Sequence, residues 1–192
     1  MFKLVKASIV AVIVASGMLA IATIPARAAV FFIPTPCDFI TGGGFIFTDS
    51  GARANFGAHG GCKHGDFWGH VNYVDHGGFN GVAPYHVDSL EITGYLKLDE
   101  APNGREICGV ARTNAGETVN FRVRMEDNGE PGTSDRFGIV LSNGYLVTTR
   151  LLGDGGPGGG NIQLHKPNPS TTGPDPQPSE EEMCAGLPSP GF

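Results

Sequence analysis

VNFRVRME, residues 119–126, is the stretch whose reading decides the fold. Val119, Phe121, Val123 and Met125 alternate with Asn120, Arg122, Arg124 and Glu126, so an extended chain carries one apolar and one charged face. This predicts a half-buried β-strand. Working outward, DSLEITGYLKL (88–98) repeats the pattern, with Leu90, Ile92, Leu96 and Leu98 on one side and Glu91, Thr93, Tyr95 and Lys97 on the other. Gly94 interrupts the buried side and marks a bulge or sharp bend. FGIVLSNGYLVTT (137–149) reads as two antiparallel strands joined at Asn143-Gly144, a pair suited to a tight type I′ hairpin. Weaker strands are expected at 45–48, 52–58, 70–75, 107–112 and 161–166. No sustained helical period occurs between residues 37 and 166, and 30 glycines with 14 prolines favour frequent turns. The expectation is an all-β, single-domain antiparallel barrel or sandwich of about eight or nine strands.

The first residues have the order of a secretory signal peptide: basic Lys3 and Lys6, an uncharged apolar run from Ala7 to Ile24, and small residues at Ala26 and Ala28. Cleavage after Ala28 removes Lys3, Lys6 and Arg27 and no acid, taking the formal charge from -6 to -9. Such a chain lacks the clustered cations that binding to nucleic acid requires. The expected organisation is signal peptide 1–28, linker 29–37, β-rich domain 38–166 and acidic tail 167–192. That tail, PNPSTTGPDPQPSEEEMCAGLPSPGF, is rich in proline and poor in apolar runs, and is expected to be extended and largely disordered. The segment GDGGPGGG (153–160) is expected to be a flexible loop. Location is expected to be secreted or periplasmic, with no membrane span once the signal is removed.

All four cysteines, Cys37, Cys62, Cys108 and Cys184, come after the signal, and an oxidising compartment favours two disulfides. Three pairings are open. Cys37 with Cys184 and Cys62 with Cys108 is preferred, because it ties the chain ends together.

Five segments occur together in order: FITGGGFI (39–46), RANFGAH (53–59), GHVNYVDH (69–76), DNGEPGTSDRFGIVL (127–141) and GGNIQLHK (159–166). Their order and spacing resemble the post-COAP family of secreted bacterial modules, over about residues 38–166. The resemblance implies an extracellular β-rich module and no particular reaction.

Few places could carry chemistry. In MEDNGEPGTSDRF (125–137), Asp127, Asn128, Glu130 and Asp135 offer hard oxygens of the kind Ca²⁺ takes, although the spacing is not that of an EF-hand loop. A plain strand connection is the preferred reading of this stretch. Five of the six histidines, His59, His64, His70, His76 and His86, fall close together. A strand would put His70 and His76 on one face but about 20 Å apart, so zinc held by His70, His76 or His64 needs partners on neighbouring strands. Gly42 to Gly44 match no phosphate loop and are read as a bend or close packing. No GxSxG elbow occurs, and no catalytic residue is assigned. Trp68, Phe79 and Tyr85 lie in glycine-rich connections and offer rings for stacking on a sugar or an apolar partner. For Trp68, a plug at one end of a barrel is preferred.

The function these features imply is a non-catalytic extracellular or cell-envelope module binding a glycan or a protein. Its rivals are a carbohydrate-binding module and a metal-dependent hydrolase or lyase using His70, Asp75 and His76 in the histidine-rich segment 59–86.

Overall fold

The computed structural model describes residues 30–191, so the expected signal peptide lies outside the described residues. Ten strands succeed one another: β1 (Phe31–Phe32), β2 (Phe39–Phe47), β3 (Arg53–Lys63), β4 (Asp66–Asp75), β5 (Tyr85–Leu98), β6 (Gly104–Thr113), β7 (Thr118–Glu126), β8 (Arg136–Leu141), β9 (Leu146–Leu151) and β10 (Gly160–His165). They form a single antiparallel sheet in the order β10-β2-β3-β4-β5-β6-β7-β8-β9, with β1 added at the end of β5. The sheet curls. Phe56 of β3 and Phe137 of β8 lie five strands apart in that order, about 24 Å on a flat sheet. Their rings nevertheless stack with centroids 3.9 Å apart. The concave side holds the core, including Ile40, Val71, Tyr73, Ile107, Phe121, Val123 and Ile139. The result is a half-barrel.

The strands at 39–63 run longer than their composition predicts. Gly42 admits Ile162, whose Cγ1 would stand 2.7 Å from an added Cβ, and Gly61 admits Phe39 Cβ at 2.4 Å. These glycines let neighbouring strands approach closely rather than bend the chain. At the β8–β9 turn only Gly144 takes a positive φ, 91°, while Asn143 does not, so the hairpin is not type I′. Asn143 instead donates to Tyr85 Oη at 2.8 Å and to Glu117 Oε2 at 2.7 Å, contacts that outweigh its intrinsic turn preference.

Strand β5 corrects the reading of DSLEITGYLKL. Its pairing with β6 shifts register between Ser89 and Glu91 and again between Ile92 and Gly94. Each bulge reverses the facing of the residues after it. Leu90 is therefore exposed, whereas Tyr95 is buried and donates to Asp38 Oδ1 at 2.7 Å.

The charged face of β7 is not solvated. Arg122 and Arg124 are 2% and 1% exposed, and Glu106 and Glu126 are buried with them. Of residues 167–191, expected to be disordered, 170–173 pack at the β3–β4 turn and beside Cys62, and the segment from Ser179 onward lies across this outer face. A helix α1 (Glu180–Cys184) starts at a capping box in which Ser179 and Glu182 satisfy each other's backbone N–H groups. Thr93 donates to Met183 O at 2.5 Å, Ser189 to Glu106 Oε1 at 2.5 Å, and Arg122 to Leu187 O at 2.7 Å. Arg122 also pairs with Glu106 and, at 2.7 Å, with Glu180. Judged alone, the tail has too little apolar surface to order itself. Held by a disulfide against a face that needs polar partners, it orders.

The disulfides are Cys37–Cys62 and Cys108–Cys184, not the preferred Cys37–Cys184 and Cys62–Cys108. Tying the termini together fails because Cys37 enters beside the end of β3, whereas Cys184 meets β6 on the convex side. Residues 30–37 likewise form no loose linker: Ile33 and Cys37 are buried and Phe31–Phe32 pair with Leu98 and Lys97. The segment 153–160 is ordered too, with a short 3₁₀ turn over Leu152–Gly155 against which Gly159 packs closely.

Candidate functional site

The acidic stretch 127–135 closes the half-barrel. No ladder joins β9 to β10 among the described residues, and the gap is bridged from this connection. Asp135, wholly buried, accepts from Asn128 N at 2.7 Å on Oδ1 and from Ile162 N at 2.7 Å on Oδ2. Asp127 accepts from Gly129 N at 3.1 Å and from Leu164 N at 2.8 Å. Glu130 Oε1 accepts from Asn161 Nδ2 at 3.0 Å, and Asn128 Nδ2 donates to Ser134 O at 2.9 Å. The four residues considered for calcium are thus together, with Asp127 and Asp135 committed to backbone N–H groups of the turn and of β10.

The histidines do not converge as one cluster. His70 sits in the middle of β4 and His76 just beyond its end, with His76 Nε2 3.1 Å from Asn55 Oδ1. Asp75 points into the barrel, accepting from Tyr145 Oη at 2.8 Å and from Gly77 N at 2.8 Å. The trio His70, Asp75 and His76 is not brought together. His64 sits in the β3–β4 turn, donating its backbone N–H to Ser170 O at 2.9 Å, and Cys62 is held in its disulfide. Among the described residues, no group of three or more His, Cys, Asp or Glu is arranged to hold a metal ion.

The aromatic candidates separate as well. Tyr85 is buried, and Phe79 packs on it and on Tyr145, with centroids 5.4 and 5.1 Å away, closing one end of the barrel. Tyr145 also meets Tyr73, Oη to Oη at 2.7 Å, and burial pushes both phenols well above their ordinary value. They are hydrogen-bonding struts rather than ionisable groups. Trp68 plugs nothing: it stands half-buried on the convex side.

Around Trp68 the outer faces of β10, β2, β3 and β4 assemble a continuous surface. Trp68 lies 5.9 Å from Phe39 and 5.4 Å from His59. Phe39 stacks on His165 at 4.4 Å, and His165 Nε2 meets Thr41 Oγ1 at 2.9 Å. His59 faces His70 across the β3–β4 ladder, rings 6.3 Å apart. His70 in turn contacts Ser89 Oγ at 3.0 Å and Asp88 Oδ1 at 3.2 Å. Partial burial, and then the nearby His70, hold the His59 imidazole below its ordinary value, so it is neutral at neutral pH. This surface offers flat rings flanked by hydrogen-bonding groups, with the Asp88 carboxylate at its β5 edge. Two of its hydroxyls meet an imidazole, Thr41 that of His165 and Ser89 that of His70, whose other ring nitrogen faces Asp88; Ser89 Oγ is also held in the sheet by the Val71 backbone N–H at 2.9 Å.

Sequence reading found Trp68 and the histidines of β3 and β4 but missed Phe39, Thr41 and His165. The alternation of FITGGGFIF, with Phe39, Thr41, Phe45 and Phe47 in phase, was the available signal, and the glycines masked it. His165 is joined to the others only through the β10–β2 ladder.

Fold and surface together define a disulfide-bonded antiparallel half-barrel with an aromatic outer face. Comparison with family models, with curated proteins and with solved structures finds no match.

Proposed function

We propose that this chain is a secreted bacterial, non-catalytic binding module that attaches to an extracellular or cell-envelope ligand through the outer face of β10, β2, β3 and β4. The observation that carries this reading is the partly buried Trp68 ring on the convex face, set against Phe39 and His59. Rings kept on a convex sheet face contribute little to the core, and they suit recognition. Export is supported by two disulfides, which persist in oxidising compartments. No helix of the described residues is long and apolar enough to cross a membrane. A bacterial origin and an envelope setting are supported by the five segments that resemble the post-COAP modules.

The test is co-sedimentation of the purified, oxidised protein with isolated bacterial envelope and extracellular-matrix fractions. Saturable binding that drops at least tenfold in Trp68→Ala is expected. Wild-type protein left in the supernatant with every fraction defeats the proposal.

A further inference from the structure

We infer that the trough floored by Gly43 and Gly57 on this outer face binds an uncharged polysaccharide chain. The inference rests on the binding-module reading above and names its ligand.

Most strand glycines here are required by packing. An added Cβ would meet Ile107 Cδ1 at 2.8 Å from Gly60, Glu91 O at 2.1 Å from Gly109, and Thr149 Oγ1 at 2.7 Å from Gly138. Gly57 differs, because nothing lies within 4 Å of a Cβ built there. Gly43 meets its nearest atom, Phe56 O, at 3.5 Å, an ordinary contact. Neither takes a positive φ. Glycine in a strand costs on the order of 1 kcal/mol against residues that favour extended backbone, so two glycines the fold does not require are notable. They are direct cross-strand partners, and both face outward. Strand glycines without an internal reason mark close approach by something else.

The side chains around them define what approaches. Along the ladders, Asn161, Gly43, Gly57, Asn72 and Asp88 form one row across five strands. On one side runs the row Thr41, His59 and His70, and on the other Phe45, Asn55 and Val74. The two walls stand four residues apart along each strand, about 13 Å between Cα atoms. Beyond the first wall lie the rings of Phe39 and Trp68.

The floor's backbone groups are engaged in the β2–β3 and β3–β4 ladders, so an extended peptide cannot add here as a strand. The exposed large apolar side chains, Val30, Phe32, Leu90 and Leu146, come from other strands or termini, so the apolar contact this face offers is confined to the partly exposed faces of its rings. Arg53 lies over the Phe45 ring at one corner and the Asp88 and Glu130 carboxylates stand at the two ends of the row, while the floor and walls between them carry no carboxylate, lysine or arginine, which matches an uncharged ligand. A chain of pyranose rings supplies flat apolar faces for the aromatic and imidazole rings, and hydroxyls for Thr41, Asn55, Asn72 and Asp88.

Affinity electrophoresis of the oxidised protein through gels containing neutral glucans, mannans or xylans, with polygalacturonate as the acidic arm, tests this. Retardation by at least one neutral polymer is expected, weakened at least tenfold in Gly57→Val, which fills the trough, and in Trp68→Ala. The melting temperature of Gly57→Val should not fall, since a Cβ at this position has no atom within 4 Å. Gly43→Thr serves as the second trough variant should Gly57→Val unfold. Unchanged retardation of a folded trough variant overturns the site. Tighter binding to polygalacturonate than to every neutral polymer overturns the ligand class. Sedimentation with envelope fractions but no retardation by any neutral polymer overturns this inference and leaves the module reading standing, whereas failure in both assays removes both.

Discussion

Asp135 shows how a residue that looks like a metal ligand becomes a structural strut. Its two oxygens each take a backbone N–H, one within its own turn and one on β10. Asn at this position presents an amide N–H₂ to one of those donors. Asp135→Asn should therefore cost about 3 kcal/mol, the scale of a hydrogen bond to a charged group lost with its partner left buried. Urea titration at pH 7 measures it. His59 supplies a pH-dependent counterpart. Its imidazole is held below the ordinary 6.5, so below that pH the unfolded chain binds a proton that the folded chain resists. Stability should then fall as pH drops from about 6.5 through the lowered folded value, and His59→Gln should flatten that part of the stability curve. A wild-type curve parallel to the variant's would contradict the assignment.

Among the elements, α1 and the tail that carries it depart furthest from what their composition implies. Met183 reaches Gly94, where a Cβ would stand 2.5 Å from the methionine's own Cβ, so the glycine read as a bend also seats the tail. The disulfides divide the work of fastening. Cys37–Cys62 closes a sequence separation of 25 and Cys108–Cys184 one of 76. Loop-closure entropy then assigns them about 3.5 and about 4.5 kcal/mol. Cys108→Ser with Cys184→Ser should accordingly cost more than Cys37→Ser with Cys62→Ser, as read by denaturant midpoints. Peptide mapping without reduction should recover the two pairs directly. Strand β7 gives the lesson for sequence reading. Its alternation was legible and its inner face was read correctly, but Arg122 and Arg124 were given to solvent because alternation states that faces differ, not what covers them.

For the whole molecule, the seam between β9 and β10 is the weak line, because side-chain acceptors replace a ladder there. Amide exchange of Ile162 and Leu164 should be faster than that of central β6 and β7 residues such as Ile107 and Val123. In Asp135→Asn the Ile162 amide should lose protection first; uniform protection across the sheet would refute the seam. The aromatic face belongs to this scale as well, because Phe39, His59, Trp68 and His165 come from four strands and meet only when the sheet is assembled. The chain alone determined most of the strands and their antiparallel class, since side-chain alternation and glycine-rich turns are local properties written within a few residues. Only the tertiary structure decided the disulfide pairing, the burial of the arginines under the tail, and the gathering of rings around an empty pair of glycines. Each of these depends on which distant segments the curled sheet brings into contact, and that is set by packing and register over the whole chain.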